Sequence, residues 1–242
     1  MVDVTTHGTA SFTTQSSDDT DVELELVSES ESSVKVKQVV LASVLASLSI
    51  AIAPVAEFIP RIPGWGIAIF DPVSIFWIIS FLIGGIWVGL VSTVAGTMGL
   101  FLYDPTAIGP VFKLIATLPM IIVPWYGVRK LRSVVRGETL SNTAEPLVTR
   151  TYDVPDRESS RGGDSLSRPK FYATLMLLAF VLRLVLMVPI NLAYGAIAFP
   201  FLTLDFIINY AIILNSFQSL WDALIPFIIV YPSGVFKTFK MW

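Results

Sequence analysis

The chain has 242 residues, of which 54% are hydrophobic and only 14% are charged, and its net charge at neutral pH is −3. Soluble globular domains usually carry about 25% charged residues, so this composition excludes an ordinary soluble domain and indicates an integral membrane protein. The chain contains no Cys, which excludes structural disulfides, thiol nucleophiles and thiolate metal sites.

The first 34 residues differ from the rest because they contain eight acidic side chains, no Lys or Arg, and no apolar periodicity. Such a segment cannot bury enough surface to offset the entropy of ordering, and an acidic start is not that of a secretory signal peptide. We therefore predict a disordered cytoplasmic tail over residues 1–34 and a membrane domain over residues 35–242. The only His in the chain, His7, lies in the tail, and we expect no metal site.

Four apolar runs follow the tail, at residues 39–56, 72–103, 107–128 and 171–194. About 20 helical residues cross the hydrocarbon layer, so the run at 72–103 is too long for one crossing and predicts two helices that reverse at Gly84 and Gly85. Residues 215–236 predict a last span, and we interpret the shorter run at 206–214 as an interfacial or re-entrant piece. The fold class is therefore all-α with about six transmembrane helices, and seven is the alternative.

The distribution of Lys and Arg predicts the orientation. With the amino terminus inside, the basic residues gather on the cytoplasmic side and the opposite side carries only Arg61. Both termini are then cytoplasmic, the loop at residues 57–71 is outside, and the polar segment at residues 133–169 is a flexible cytoplasmic linker.

Ionisable side chains occur at three positions in the predicted spans: Lys113, Arg183 and Asp222. The predicted topology places all three in the outer half of the membrane. Asn191 shares a helix face with Arg183, and Asn215 and Gln218 share a face with Asp222. Two polar faces at one depth predict a pocket open to the outside, and the alternative is an ion pair of Arg183 with Asp222 that only holds helices together.

The first span carries small side chains at i, i+4, i+7 and i+11, namely Ala42, Ala46, Ser49 and Ala53. Such a stripe allows another helix to approach closely. The partner helix can lie within this chain or in another protein.

Several stretches together resemble the S-components of energy-coupling factor (ECF) vitamin transporters: A-x-x-x-A at Ala42 and Ala46, "FDPVSI", "GGIWVG", "VLRLVLMVPINLAYG" and "NSFQSLWDALI". The similarity runs from about Lys35 to the carboxyl terminus. The stretch with Asn191 and Tyr194, and the loop leading to Asp71, most resemble the riboflavin-binding members. Family members often have N-x-x-K-G at the head of the last helix, where this chain has Gln218 in place of the Lys.

The resemblance implies a substrate-binding subunit of the cell membrane that captures a vitamin, riboflavin by the closest similarity, from the outside. It also implies docking through Ala42 and Ala46 on a T-component driven by two ABC ATPases. The chain has no G-x-x-x-x-G-K-[ST] loop for nucleotide phosphates, so we expect it not to be its own motor. We expect no enzyme activity, no catalytic residues, no cofactor and no nucleic-acid partner; the lipid bilayer is its surroundings.

On this interpretation the flat ring of the ligand lies against aromatic side chains, and amides bind its polar groups. The predicted ligand-binding residues are Trp65, Phe70, Asn191, Tyr194, Asn215, Gln218 and Asp222, with Lys113 and Arg183 as supporting charges. Trp65 and Phe70 belong to an outer loop rich in Pro and Gly, which suits a lid, although Trp65 can equally be an interfacial anchor. Asp71, before Pro72, is interpreted mainly as a helix cap.

Other functions stay open at this point. An S-component for another vitamin or precursor would have the same architecture. An integral-membrane enzyme is a further alternative, but the chain has no Cys, no His outside the tail and no paired carboxylates within one span. A purely structural subunit would have no need of a polar pocket.

Overall fold

A computed structural model describes residues 18–56, 58–60, 70–104, 106–141 and 166–233. Within these ranges every element is a helix, and no residue is in a strand. The helices are α1 (Asp18–Ala56), α2 (Val73–Leu100), α3 (Ile108–Ser141), α4 (Pro169–Ala198) and α5 (Leu204–Val230). The predicted all-helical class is confirmed.

Five stretches of these helices are long and apolar enough to cross a membrane: Ser32–Ala56, Val73–Leu100, Ile108–Leu131, Pro169–Ala198 and Leu204–Val230. Their outward faces carry exposed aliphatic side chains, such as Leu177, Val181 and Val185 on α4. Exposed aliphatic rows of this kind need an apolar surrounding. The protein is thus a multi-pass membrane protein, as the composition indicated.

Helix α2 is interrupted in its middle at Gly85, which has φ 83° and ψ −171°, a conformation that essentially only Gly adopts. A Cβ atom at Gly89 would lie 2.6 Å from the Cβ of Phe81, although eight residues of straight helix span about 12 Å. Val73 and Leu100, the two ends of α2, also belong to one buried cluster with Trp77. The two arms of α2 therefore fold back on each other, and the break lies at the predicted glycines.

The carboxyl-terminal part differs from our interpretation. Residues 206–214, which we took as a separate interfacial or re-entrant piece, form the beginning of α5, whose first turn is capped by Thr203 accepting a hydrogen bond from Phe206 N at 3.3 Å. The predicted boundary lies between Leu214 and Asn215, because residues 215–236 are by themselves long enough to span. In the structure Asn215 is buried and bonded to another helix, so polarity inside α5 does not end it.

Two predicted boundaries also differ. Helix α1 begins at Asp18, inside the segment predicted to be disordered, and α3 continues to Ser141, inside the predicted linker. Residues 1–17 and 142–165, the rest of the tail and most of the linker, lie outside the described residues.

The main core lies between the first arm of α2 and helices α3, α4 and α5. Its buried side chains include Ile78, Phe81, Leu82, Met120, Ile121, Met176 and Ala179. These side chains fill the end of the bundle near the bend of α2. The opposite end, where α1 ends and α3 begins, is not filled in the same way and contains a cavity.

Candidate ligand-binding cavity

A cavity of about 760 Å³ opens at one end of the bundle. Its walls come from the end of α1, both ends of α2, the start of α3, the end of α4 and the start of α5. Eight of the lining side chains are aromatic: Phe70, Tyr103, Phe112, Tyr194, Phe199, Phe201, Phe206 and Tyr210. The volume falls within the range of about 300–1,000 Å³ that is typical of small-molecule sites.

Six of the predicted site residues line this cavity: Phe70, Lys113, Asn191, Tyr194, Asn215 and Gln218. Asp222 and Arg183 do not line it. Trp65 lies outside the described residues. The two polar helix faces were thus correctly predicted to meet, but not all of their members reach the cavity.

Beneath the cavity, the Arg183 guanidinium of α4 is held by three side chains of α5. It donates to Asn215 Oδ1 at 3.1 Å, to Asp222 Oδ2 at 2.7 Å and to Gln218 Oε1 at 2.6 Å. The side chains of Arg183 and Asp222 are only 2% and 1% exposed. This arrangement is the ion pair that the sequence left as an alternative.

The role predicted for Asp222 as a ligand contact is not supported by its position. Its second oxygen accepts a hydrogen bond from Ser74 Oγ at 2.6 Å, so both carboxylate oxygens are engaged within the protein. Because α5 starts at Leu204, Asp222 lies about 27 Å along its helix rather than the 10 Å expected from a later start. The carboxylate therefore joins α2, α4 and α5 below the cavity floor.

Lys113 and Asp71 form an ion pair at the cavity wall, and each side chain is about one-fifth exposed. The other oxygen of Asp71 accepts the backbone N–H of Val73 at 3.1 Å, at the first residue of α2. The predicted capping role of Asp71 agrees with this bond, although the helix begins one residue later than expected. The pair brings opposite charges together, so it adds no net charge to the cavity.

Asp104, which the sequence analysis missed, lies at the cavity mouth between α2 and α3. A hydrogen bond from the Thr106 hydroxyl is the main cause that lowers the pKa of this carboxyl, and the backbone N–H groups of Thr106 and Gly109 add to it. Asp104 thus remains ionised and holds the first turn of α3. Its signal in the sequence was local, an Asp just before a helix start in "YDPTAIG".

Several aromatic side chains of the cavity were also missed. Phe112 and Tyr194 make an edge-to-face contact with ring centroids 5.3 Å apart, and Tyr194 makes a second one with Phe199 at 6.1 Å. Such contacts fix the orientation of rings in a wall. In the sequence these residues look like ordinary lipid-facing positions, because only the bundle brings α3 and α4 together here.

The predicted docking stripe on α1 is covered within the chain. Ala42 and Ala46 are only 3% and 4% exposed, and Ser49 accepts a hydrogen bond from the buried Trp77 indole at 2.9 Å. The prediction that Ala42 and Ala46 form an external docking face therefore conflicts with the structure. At Ser49 the small side chain lies directly against α2, next to Trp77 and Gly96.

The chain matches no family model, no curated protein and no solved structure. Among the residues that the structure describes, no group of three His, Asp or Glu side chains could hold a metal ion.

Proposed function

We propose that this protein is the substrate-binding S-component of an ECF-type ABC importer, which captures a vitamin, most simply riboflavin, from outside the cell. The observation that carries the proposal is the aromatic-lined cavity of about 760 Å³ at one end of an apolar helix bundle. In the proposal the cavity is the outward-facing binding site, and a T-component with two ABC ATPases supplies the energy.

The charges around the cavity favour a neutral ligand. Lys113 is paired with Asp71, and Arg183 with Asp222, so neither cation is free to bind an anionic group. The ionised Asp104 at the mouth disfavours anions further. A neutral, flat ring system that stacks on aromatic side chains suits this lining better than an acidic vitamin does.

The proposed topology has both termini in the cytoplasm and six membrane segments, with the two arms of α2 counted separately. The distribution of basic residues supports this topology. Lys35 and Lys37 lie on the same side of the membrane as the basic residues after α3 only if α2 begins and ends on one side. The arms, residues 73–84 and 86–100, are about 18 and 22 Å long. The orientation of α3, α4 and α5 in the membrane does not depend on whether the bend reaches the far surface of the bilayer or stays within it.

The decisive experiment is ligand identification on the protein purified in mild detergent. We expect riboflavin to co-purify, detected by mass spectrometry, and to quench the intrinsic Trp fluorescence saturably when it is added back. Tyr194→Ala should weaken binding about tenfold or more, since it removes a ring from the wall. The matched control is Tyr231→Ala, which removes an exposed ring beyond the far end of α5 and should leave the affinity unchanged.

Different results separate the parts of the proposal. Tight binding of another vitamin would reject riboflavin and keep the carrier. A bound lipid with turnover would support an enzyme instead. Robust ATP hydrolysis by the isolated chain, or concentrative uptake without the T-component and ATPases, would reject the proposed S-component.

A further inference from the structure

Two amide side chains of the cavity are bonded to neighbouring groups through opposite ends, one through its oxygen and the other through its nitrogen. Gln218 of α5 and Asn191 of α4 both line the cavity, and each has one end of its amide fixed by a group that can bond in one sense only. The inference drawn from them rests on the proposed function, because it concerns the ligand of the same site.

The oxygen of Gln218 is committed to Arg183. A guanidinium has N–H donors and no acceptor, so the amide atom that faces it must be the oxygen, and Gln218 Oε1 accepts from Arg183 at 2.6 Å. Arg183 itself does not reach the cavity. The Nε2 group of Gln218, which makes no hydrogen bond among the residues that the structure describes, is the end left for a ligand, and it can only donate.

Asn191 has the reverse arrangement. A backbone carbonyl only accepts, and the Asn191 Nδ2 group donates to Met187 O, one turn earlier on α4, at 2.7 Å. Its Oδ1 atom is left without a hydrogen bond within the described part of the chain, and an amide oxygen can only accept. The nearby Asn215 keeps this pattern: its oxygen binds Arg183 and one of its two N–H groups donates to Ala211 O, so the group that it has left for a ligand is a donor.

We propose that the cavity selects neutral heterocycles whose polar edge carries a donor beside an acceptor, as in the imide edge of a flavin or pyrimidinedione. The Gln218 amide donates to a ring carbonyl, and the Asn191 oxygen accepts the adjacent ring N–H. Arg183 is then a positioning residue: it never touches the ligand, but it sets which end of Gln218 the ligand meets.

The test compares riboflavin with its N3-methyl derivative, which keeps both ring carbonyls and lacks the imide N–H. Dissociation constants are measured by Trp fluorescence quenching on the unmodified protein, on Asn191→Leu and on Gln218→Met. Both substitutions keep the approximate side-chain volume and remove the hydrogen-bonding groups. In the unmodified protein the methyl derivative should bind about tenfold to a hundredfold more weakly, since it leaves the Asn191 oxygen unpaired.

The ratio of the two dissociation constants within one variant is the deciding quantity, because damage to the fold affects both flavins alike. In Asn191→Leu the ratio should fall towards one. In Gln218→Met both flavins should weaken by a similar factor, and the ratio should stay high. If Asn191→Leu does not fold, Asn191→Ala takes its place with the same expectation.

A ratio near one in the unmodified protein, or a ratio unchanged in the Asn191 variant, would overturn the inference while riboflavin binding still supported the proposed function. If neither flavin binds to the folded protein, the riboflavin proposal and this inference are both rejected.

Discussion

Arg183 is the residue on which the polar interior depends, because its three donor nitrogens hold Asn215, Gln218 and Asp222 at once. A buried ion pair is not by itself strongly stabilising, since the cost of removing two charges from water can exceed their attraction. Removing one partner is different, because the other charge then stays buried alone. The pair thus specifies how α4 and α5 align more than it adds to stability.

Arg183→Met or Asp222→Leu alone should lower the free energy of unfolding by about 3–5 kcal/mol. The double variant should lose clearly less than the sum of the two, because no uncompensated charge remains. Thermal or denaturant unfolding of the detergent-solubilised protein measures all three. Arg183→Lys is the control, since a single ammonium cannot bond all three α5 side chains in the same geometry, and it should be intermediate.

A double variant whose loss equals the sum of the single losses would contradict the prediction, because the two charges would then not be coupled in the folded protein.

At the residue scale, the sequence identified most of the polar site, and of its internal pairing it offered only the Arg183–Asp222 ion pair, as an alternative. Helical spacing was enough to place Asn215, Gln218 and Asp222 on one face of α5. It could not tell which of them would face a ligand and which would face Arg183, because that depends on the depth at which α4 and α5 meet. The late predicted start of the last helix moved Asp222 too close to the surface.

At the scale of one helix, α1 carries two candidate small-residue stripes rather than one. Ala42 and Ala46 are buried, whereas Ser43 and Ser47, one position further on, are exposed. The hydroxyls of both serines bond to carbonyls one turn earlier in the same helix. Sequence spacing cannot choose between two stripes with the same period, since the choice is made by where α2 packs.

The two stripes give a matched pair of variants. Ala46→Leu should lower the free energy of unfolding by about 1–3 kcal/mol, because it inserts a large side chain into a filled contact. Ser47→Leu adds the same side chain to an exposed position, so stability and riboflavin binding should remain near those of the unmodified protein. Both are measured by thermal unfolding and fluorescence titration.

The contradicting result is an Ala46→Leu protein that is as stable as the unmodified chain. Uptake assays with the T-component and ATPases test docking separately. If Ser47→Leu abolishes uptake but leaves riboflavin binding intact, docking uses the exposed stripe of Ser43 and Ser47.

Element boundaries were predictable where backbone chemistry determined them. The break in α2 was found from its glycines, since few other residues adopt the conformation of Gly85. The continuity of α5 was not found, because a polar Asn215 inside an apolar helix looks like an end until its partner on another helix is known.

On the scale of the whole molecule, the cavity collects residues from both ends of α2 and from the ends of the four other helices. No local pattern predicts such a site. The sequence indicated its existence only through the shared depth of polar residues on α4 and α5. The proposed outside location of this end follows from charge and can be tested independently of any ligand.

The chain has no Cys, so a single introduced thiol reports on one position. In intact cells, a membrane-impermeant maleimide should label Leu102→Cys, at an exposed position beside the cavity end of α2. It should label Ser160→Cys, in the segment between α3 and α4, only after the cells are permeabilised. Labelling of Ser160→Cys in intact cells would contradict the proposed topology.

The bend at Gly85 has a consequence for how the protein is made. If the 28 residues of α2 formed one straight helix, the membrane-insertion machinery would insert them as a single crossing. In the proposed topology, every later segment of the chain would then lie on the wrong side of the membrane. In the proposed topology, the positive φ angle of Gly85 lets α2 turn back, so that the chain leaves the membrane on the side from which it entered. A substitution that straightens α2 should therefore destabilise the protein. It should also yield a fraction of molecules in which the segments after α2 have the opposite orientation in the membrane.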